Sequence, residues 1–238
     1  MGERERNPKL PITCDVLSRM LEAASHSSLS DKLNFEASTT TAFAGFLRCG
    51  EFTVLTGRSF DPSINLTRSC VEFMPSISSP SHIILTVPSS KTDPFRKGVS
   101  IAIASAPGAR TCAVNALKNL FEYVLRPPEV PLFSQDSDAP LSRGQFITQV
   151  KSNLAHAGFD TSKFSGHSFR RGTASSAAAV GFNDYDIQQL GRWHSDSYKL
   201  YMDGSQSRIL SLSSRLHWVV PHSQHFKPLS LRLLSSLA

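Results

Sequence analysis

The feature that most restricts the fold is a change of hydrophobic period in the middle of the chain. Ser69–Met74, His82–Val87 and Val99–Ala104 carry alternating or β-branched apolar residues and are bounded by Pro and Ser clusters, the pattern of short strands. On either side of this region the apolar residues recur at helical spacing. A polar segment, Pro88 to Gly98, joins the second and third runs and reads as a hairpin loop. The expected fold is therefore α+β and mainly α, with a small antiparallel β-sheet set among helices.

Val16, Leu17, Met20 and Leu21 form one apolar face of a helix starting at Thr13, broken by the Ser/Asn/Asp-rich stretch from Ser25 to Asp31. A second helix is expected from about Lys32 to Leu47, rich in Ala and Phe and so buried on more than one side. Thr39, Thr40 and Thr41 lower its intrinsic propensity, which leaves packing to hold it. Later helices are expected at Thr111–Leu125, closed by Pro127 and Pro128, and at Ser142–His156, opened by a serine cap. His167–Val180, Asn183–Gly191 and a short helix through Tyr201 follow. Residues 1–10 read as a solvated lead-in, 11–203 as the main domain and 204–238 as a Ser/Leu-rich tail interrupted by Pro221 and Pro228. Ile209, Leu210, Leu212, Leu216 and Trp218 give that tail an amphipathic face that would dock one more helix.

With 238 residues the chain has length enough for a substantial core. Its formal charge of +6 and pI near 9.3 favour a polyanionic partner, nucleic acid first. Cys14, Cys49, Cys70 and Cys112 are scattered, with no CxxC pair, and read as reduced thiols of a cytosolic or nuclear protein. No apolar run approaches the ~20 residues needed to span a bilayer. His194, His217, His222 and His225 lack cysteine partners and make a poor zinc site.

The residues that carry chemistry lie in four places. His167 and Arg170, in Gly166-His167-Ser168-Phe169-Arg170-Arg171-Gly172, are spaced to share one helix face near an N-terminus, where backbone N–H groups add to anion affinity. The arginine offers a planar fork for two phosphate oxygens, and the histidine a hydrogen bond or a proton. A capping histidine beside a solvated arginine pair is the plainer alternative. Arg48 falls at the end of the apolar second helix, with Glu51 three residues on to orient its guanidinium; alternatively it satisfies the helix's last carbonyls. Lys91 lies in the hairpin loop, where it either reaches a leaving oxygen as a general acid or stands in solvent. Last, Leu190-Gly191-Arg192-Trp193-His194 is followed by Tyr198 and Tyr201, offering an indole or imidazole donor and a phenolic hydroxyl.

In this order, Arg48 with Glu51, Lys91, His167-Ser168-Phe169-Arg170, Trp193 and Tyr201 resemble the tyrosine recombinases, the phage-integrase-like DNA breaking-rejoining enzymes. Ser-Phe-Arg-Arg-Gly followed by Leu-Gly-Arg-Trp is similar to the Crypton and DIRS-like recombinases of eukaryotic mobile elements. The resemblance covers Pro11 to Tyr201. It implies a tyrosine recombinase catalytic domain acting on duplex DNA, in the nucleus, as a homo-oligomer that synapses as a tetramer. It implies no cofactor and no metal ion, the arginines stabilising the charge that Mg²⁺ handles elsewhere. Tyr201 is then the nucleophile that forms a 3′-phosphotyrosyl bond, with Tyr198 as its rival. Arg48 and Arg170 bracket the non-bridging oxygens, His167 assists the proton transfer, and Lys91 protonates the leaving 5′ oxygen. Trp193 donates its indole N–H, although it stands one residue closer to Tyr201 than is usual, which leaves His194 or Arg192 for that place. Arg96, Lys97, Arg171 and Lys199, with Lys151 and Lys163, are candidate DNA-backbone contacts. Type IB topoisomerases use similar chemistry, but the SFRRG and LGRW motifs favour a recombinase. Such recombinases normally close around DNA with an additional N-terminal helical domain, for which the residues before Pro11 leave no room. A catalytically silent DNA-binding remnant is accordingly the second reading.

Overall fold

A computed structural model of the chain describes residues 9–55, 59–88, 98–135, 139–192, 210, 213, 214, 216 and 217. The first helix, α1 (Cys14–Ala23), is capped by Thr13, whose hydroxyl accepts from Val16 N–H, and it buries Leu17, Met20 and Leu21 as its spacing predicts. The second, α2, runs over Leu29–Ala44 rather than Lys32 to Leu47. It starts early because Ser28, inside the polar stretch, accepts from Asp31 N–H and caps it. At the other end Gly45 and Phe46 turn the chain, Phe46 taking φ 50°, so Arg48 is not the last residue of an apolar helix. It is instead the N-cap of a separate short helix, α3 (Cys49–Phe52).

Asn34, Ser38, Thr39, Thr40 and Thr41 of α2 are buried, as expected of a helix covered on more than one side. Two of them are satisfied locally: Thr39 Oγ1 donates to Phe35 O at 2.7 Å and Thr40 Oγ1 to Glu36 O at 2.7 Å. Hydroxyls that bond back along their own helix let a weakly helical sequence sit in the core without partners from other elements.

Three strands, β1 (Val71–Met74), β2 (His82–Val87) and β3 (Val99–Ala104), form one antiparallel sheet in that order. Register pairs Val71 with Leu85 and Ile83 with Ile103, which points Ile83, Leu85, Val87 and Ile103 into the core. β2 and β3 are adjacent and antiparallel, as expected of a hairpin, and Lys91 falls between them in the sequence, outside the described residues. The remaining helices are α4 (Ala113–Tyr123), α5 (Arg143–His156), α6 (Ser168–Ala179) and α7 (Asp184–Gly191). Ser142 and Gln145 form a reciprocal capping box on α5, and Asn183 caps α7. In the interior α2 packs on α4 and α6, α1 on α5, and α6 on α7. No helix among the described residues is long and apolar enough to cross a membrane.

Helix α6 is fastened to the chain's beginning. Ile12 N–H donates to Ser168 O at 2.9 Å, Cys14 N–H to Ser176 Oγ at 3.0 Å, and Arg171 Nη1 to Lys9 O at 2.6 Å. Residues 9 and 10 are exposed, yet Leu10 N–H donates to Lys163 O. The approach is closest at Gly172, where a Cβ would lie 1.7 Å from Ile12 O. This explains the glycine of the Ser-Phe-Arg-Arg-Gly motif: it keeps two backbones in contact. At the far end of the chain, Ser213, Leu216 and His217 are buried. Ser213 Oγ accepts from Ala104 N–H at 3.1 Å, and His217 Nδ1 lies 2.9 Å from Thr111 Oγ1.

Two predictions come from this packing. Gly172→Ala should cost about 3 kcal/mol or more in urea unfolding, because neither backbone can retreat; Gly50→Ala, where a Cβ meets nothing within 4 Å, should change stability by under about 1 kcal/mol. Burial holds the His217 imidazole down at about 4, against 6.5 when solvated. The unfolded chain thus takes up a proton that the folded chain refuses, so this contribution is complete above pH 6.5 and is lost as the pH falls towards 4. Between pH 7.5 and 5 the loss should be about 2 kcal/mol, measured by denaturant unfolding, and should shrink in His217→Gln.

Candidate active site

The site is built on the C-terminal end of α2, where a helix leaves carbonyls without internal partners. Leu47 N–H returns to Ala42 O at 3.0 Å and Phe46 N–H to Phe43 O at 3.1 Å, with Phe46 in the left-handed region that usually takes glycine. Phe46 is fully buried, and its core packing offsets that backbone cost. Side chains from the far end of the sequence then complete the helix end. Thr173 Oγ1 donates to Phe43 O at 2.9 Å, Arg192 Nη1 to Gly45 O at 2.9 Å and Arg170 Nη1 to Phe46 O at 2.7 Å. The other terminal nitrogen of Arg170 donates to Gly191 O, at the end of α7. Positive groups at a helix C-terminus are also favoured by its dipole.

Glu51 ties this platform to Arg48. Its Oε2 accepts from Arg48 N–H at 2.8 Å and from Arg192 Nη2 at 3.2 Å, while Oε1 accepts from Arg48 Nη1 at 3.0 Å. The carboxylate side chain is 3% exposed and that of Arg48 29% exposed, so the arginine faces solvent with nitrogens to spare. Three guanidinium groups thus gather about one carboxylate among the described residues. The crowding is electrostatically unfavourable: burial, then Arg48 and Arg192, lower the Arg170 pKa to about 10, with Glu51 opposing. Burial likewise lowers that of Arg192, against the pull of Glu51. A cluster of cations with one anion, open to solvent at Arg48, is suited to receive a further anion.

His167 stands just before α6, exposed, and its ring makes no hydrogen bond to any described residue. The expected shared face with Arg170 is therefore only partly realised: His167 is the N-cap residue, whereas Arg170 is buried and committed to two carbonyls. Cys49 fixes the turn that carries His167, its thiol donating to Gly166 O at 3.2 Å. A Cβ on Gly166 would meet that sulfur at 3.0 Å, so glycine here permits the contact. Arg171 and Lys151 are exposed, and Lys163 pairs with Asp160 at 3.7 Å. Lys91, Arg96, Lys97, Trp193, His194, Tyr198, Lys199 and Tyr201 lie outside the described residues. The carbonyl-satisfying role that Arg48 offered as its alternative belongs to Arg170 and Arg192. Glu51→Gln should lower unfolding free energy by about 3 kcal/mol in urea titrations, because two guanidinium groups lose their shared counter-charge.

No protein-family model matches the chain. A curated protein, the integrase/recombinase xerD homolog of Selenomonas ruminantium, is 28% identical over 201 residues, covering 82% of this chain and 52% of that protein. The chain thus spans about half the length of the curated relative it matches. Among solved structures, XerA recombinase matches with a TM-score of 0.56 and 18% identity, over 90% of this chain and 68% of that one. XerH site-specific recombinase, in a pre-cleavage complex with its difH substrate, matches at 0.55 and 16%, over 88% and 50%. A lambda integrase (75–356) dimer bound to a COC′ core site matches at 0.51 and 18%, over 97% and 65%. A mainly helical domain with a three-stranded antiparallel sheet, superposing on these proteins over most of its length, has the fold of a tyrosine recombinase catalytic domain.

Proposed function

We propose that this domain cleaves and rejoins duplex DNA through a 3′-phosphotyrosyl intermediate, in site-specific recombination or integration. The observation that carries the reading is the set of guanidinium groups of Arg48, Arg170 and Arg192 about Glu51, in a fold shared with recombinases bound to DNA. Arg48 and Arg170 bind the non-bridging oxygens of the scissile phosphate and stabilise the charge that grows on them, an effect worth several kcal/mol in sites of this kind. The Tyr201 oxygen attacks phosphorus as the bond to the 5′ oxygen breaks. His167 assists removal of the phenolic proton, and Lys91 delivers a proton to the leaving oxygen. Trp193 or His194 supplies a further donor. Arg96, Lys97, Arg171 and Lys199 contact the DNA backbone.

Residues 11–203 form the catalytic unit in this reading, and the segment from 204 onward docks on it or on a neighbouring copy. Four copies synapse two duplexes. The Ser-Phe-Arg-Arg-Gly and Leu-Gly-Arg-Trp motifs favour a eukaryotic mobile element of Crypton or DIRS-like type, and with it the nucleus.

Nicked suicide duplexes of randomised sequence test the chemistry. A covalent protein–DNA adduct on denaturing gels is expected, lost in Tyr201→Phe, retained in Tyr198→Phe and reduced at least about 100-fold in Arg170→Ala. DNA binding should weaken steeply between 50 and 200 mM salt, by about 10³-fold or more if six phosphates are contacted. Salt-sensitive binding with no adduct would instead assign the chain as a silent DNA-binding remnant.

A further inference from the structure

We infer that Arg192 is a positioning residue that fixes the end of α7 against the turn between α2 and α3. The inference deepens the recombinase reading and rests on it for its catalytic consequence. Both terminal nitrogens of Arg192 are already engaged, Nη1 with Gly45 O at 2.9 Å and Nη2 with Glu51 Oε2 at 3.2 Å. These acceptors lie 147 and 141 residues away in sequence, on the two sides of the turn between α2 and α3. Its backbone is committed as well: Arg192 ends α7 at φ 51° and ψ 42°, a left-handed conformation in which its own N–H closes on the last turn of the helix. A non-glycine residue in that region is uncommon and requires surroundings that hold it there. The fork of contacts on Gly45 and Glu51 supplies that hold.

The end of α7 is thereby bolted at two neighbouring points, through the Arg192 side chain and through Gly191 O, which accepts from Arg170. Residue 193 follows at once, and Tyr201 lies nine residues beyond Arg192 in the sequence. The side chain that holds the end of α7 also shares Glu51 with Arg48. One carboxylate therefore holds Arg48, an arginine of the proposed phosphate site, and the end of α7 in the same frame. Lysine cannot replace Arg192, since a single ammonium on a flexible stem lacks the planar fork that spans a carbonyl and a carboxylate together.

The experiment uses the full chain in two readouts. The chain holds two tryptophans, Trp193 and Trp218, so Trp218→Phe leaves Trp193 as the sole indole reporter, adjacent to the bolt. In that background Arg192→Gln is expected to change acrylamide quenching of Trp193 by about twofold or more, and Glu51→Gln to change it in the same direction. Unchanged quenching in both variants would overturn the inference. The second readout is single-turnover adduct formation at saturating nicked duplex. Arg192→Gln should slow it about 10- to 100-fold while DNA affinity stays within about threefold, the mark of misplacement rather than lost binding. Arg192→Lys should recover only a small part of the rate. In the double variant Arg192→Gln/Glu51→Gln the rate should fall little below that of the worse single variant, because both act through one contact. An unchanged rate in Arg192→Gln, or affinity lost in parallel with rate, would overturn the positioning role. If the unmutated chain forms no adduct, the recombinase reading fails, and the Trp193 quenching alone decides whether Arg192 holds the end of α7. Should Arg192→Gln fail to fold, Arg192→Lys carries both readouts with the same expected directions.

Discussion

The end of α2 is the constraint on which the rest of the site depends. A helix whose C-terminal end is buried cannot leave its final carbonyls to water, so other parts of the protein must satisfy them. Here the donors are Thr173, Arg170 and Arg192, reaching Phe43, Phe46 and Gly45. An ordinary requirement of helix termination thus gathers guanidinium groups at one point. Once gathered they repel one another, and the nearly buried Glu51 moderates that repulsion without cancelling it. In the proposed reaction, structural need and phosphate binding fall to the same side chains.

The consequence for energetics is that stability and site chemistry are linked. Arg170 is the clearest case, since burial and its cationic neighbours depress its pKa while its nitrogens serve as caps on two chain ends. For the proposed reaction such a site is preorganised: its donors are held by the fold beforehand, so little reorganisation remains for the chemical step. Gly172 and Gly166 serve the same end by a different route, allowing Ile12 and Cys49 to approach so closely that α6 has little freedom to shift.

Local signals in the sequence were readable, and distant ones were not. Alternation marks the three strands, and a serine cap marks α5, because both depend on neighbouring residues. The Arg48–Glu51 pair was legible for the same reason, being three residues apart. The limits of α2 were misjudged at each end: its cap, Ser28, was hidden in a polar stretch, and Gly45-Phe46-Leu47 looked like more helix although Phe46 turns the chain. Arg192 stands in the sequence only as one of two substitutes for an indole donor, since neither its left-handed backbone nor its distant acceptors leave a local trace. His167 and Arg170 were placed on one face by spacing, but the helix begins after the histidine, which leaves one in solvent and one in the core.

The contacts that make the platform span nearly the whole chain: Cys14 to Ser176 across 162 residues, Gly45 to Arg192 across 147, Phe46 to Arg170 across 124. Closing loops of this size is entropically costly and comes late in folding, after local helices and the hairpin have formed. During synthesis, α2 emerges from the ribosome long before the residues that finish its end. A nascent chain shorter than Arg192 has Arg48 and Glu51 but no frame to hold them. Assembly of the cationic cluster is therefore timed by translation, and the growing polypeptide lacks the completed cluster until Arg192 has been made.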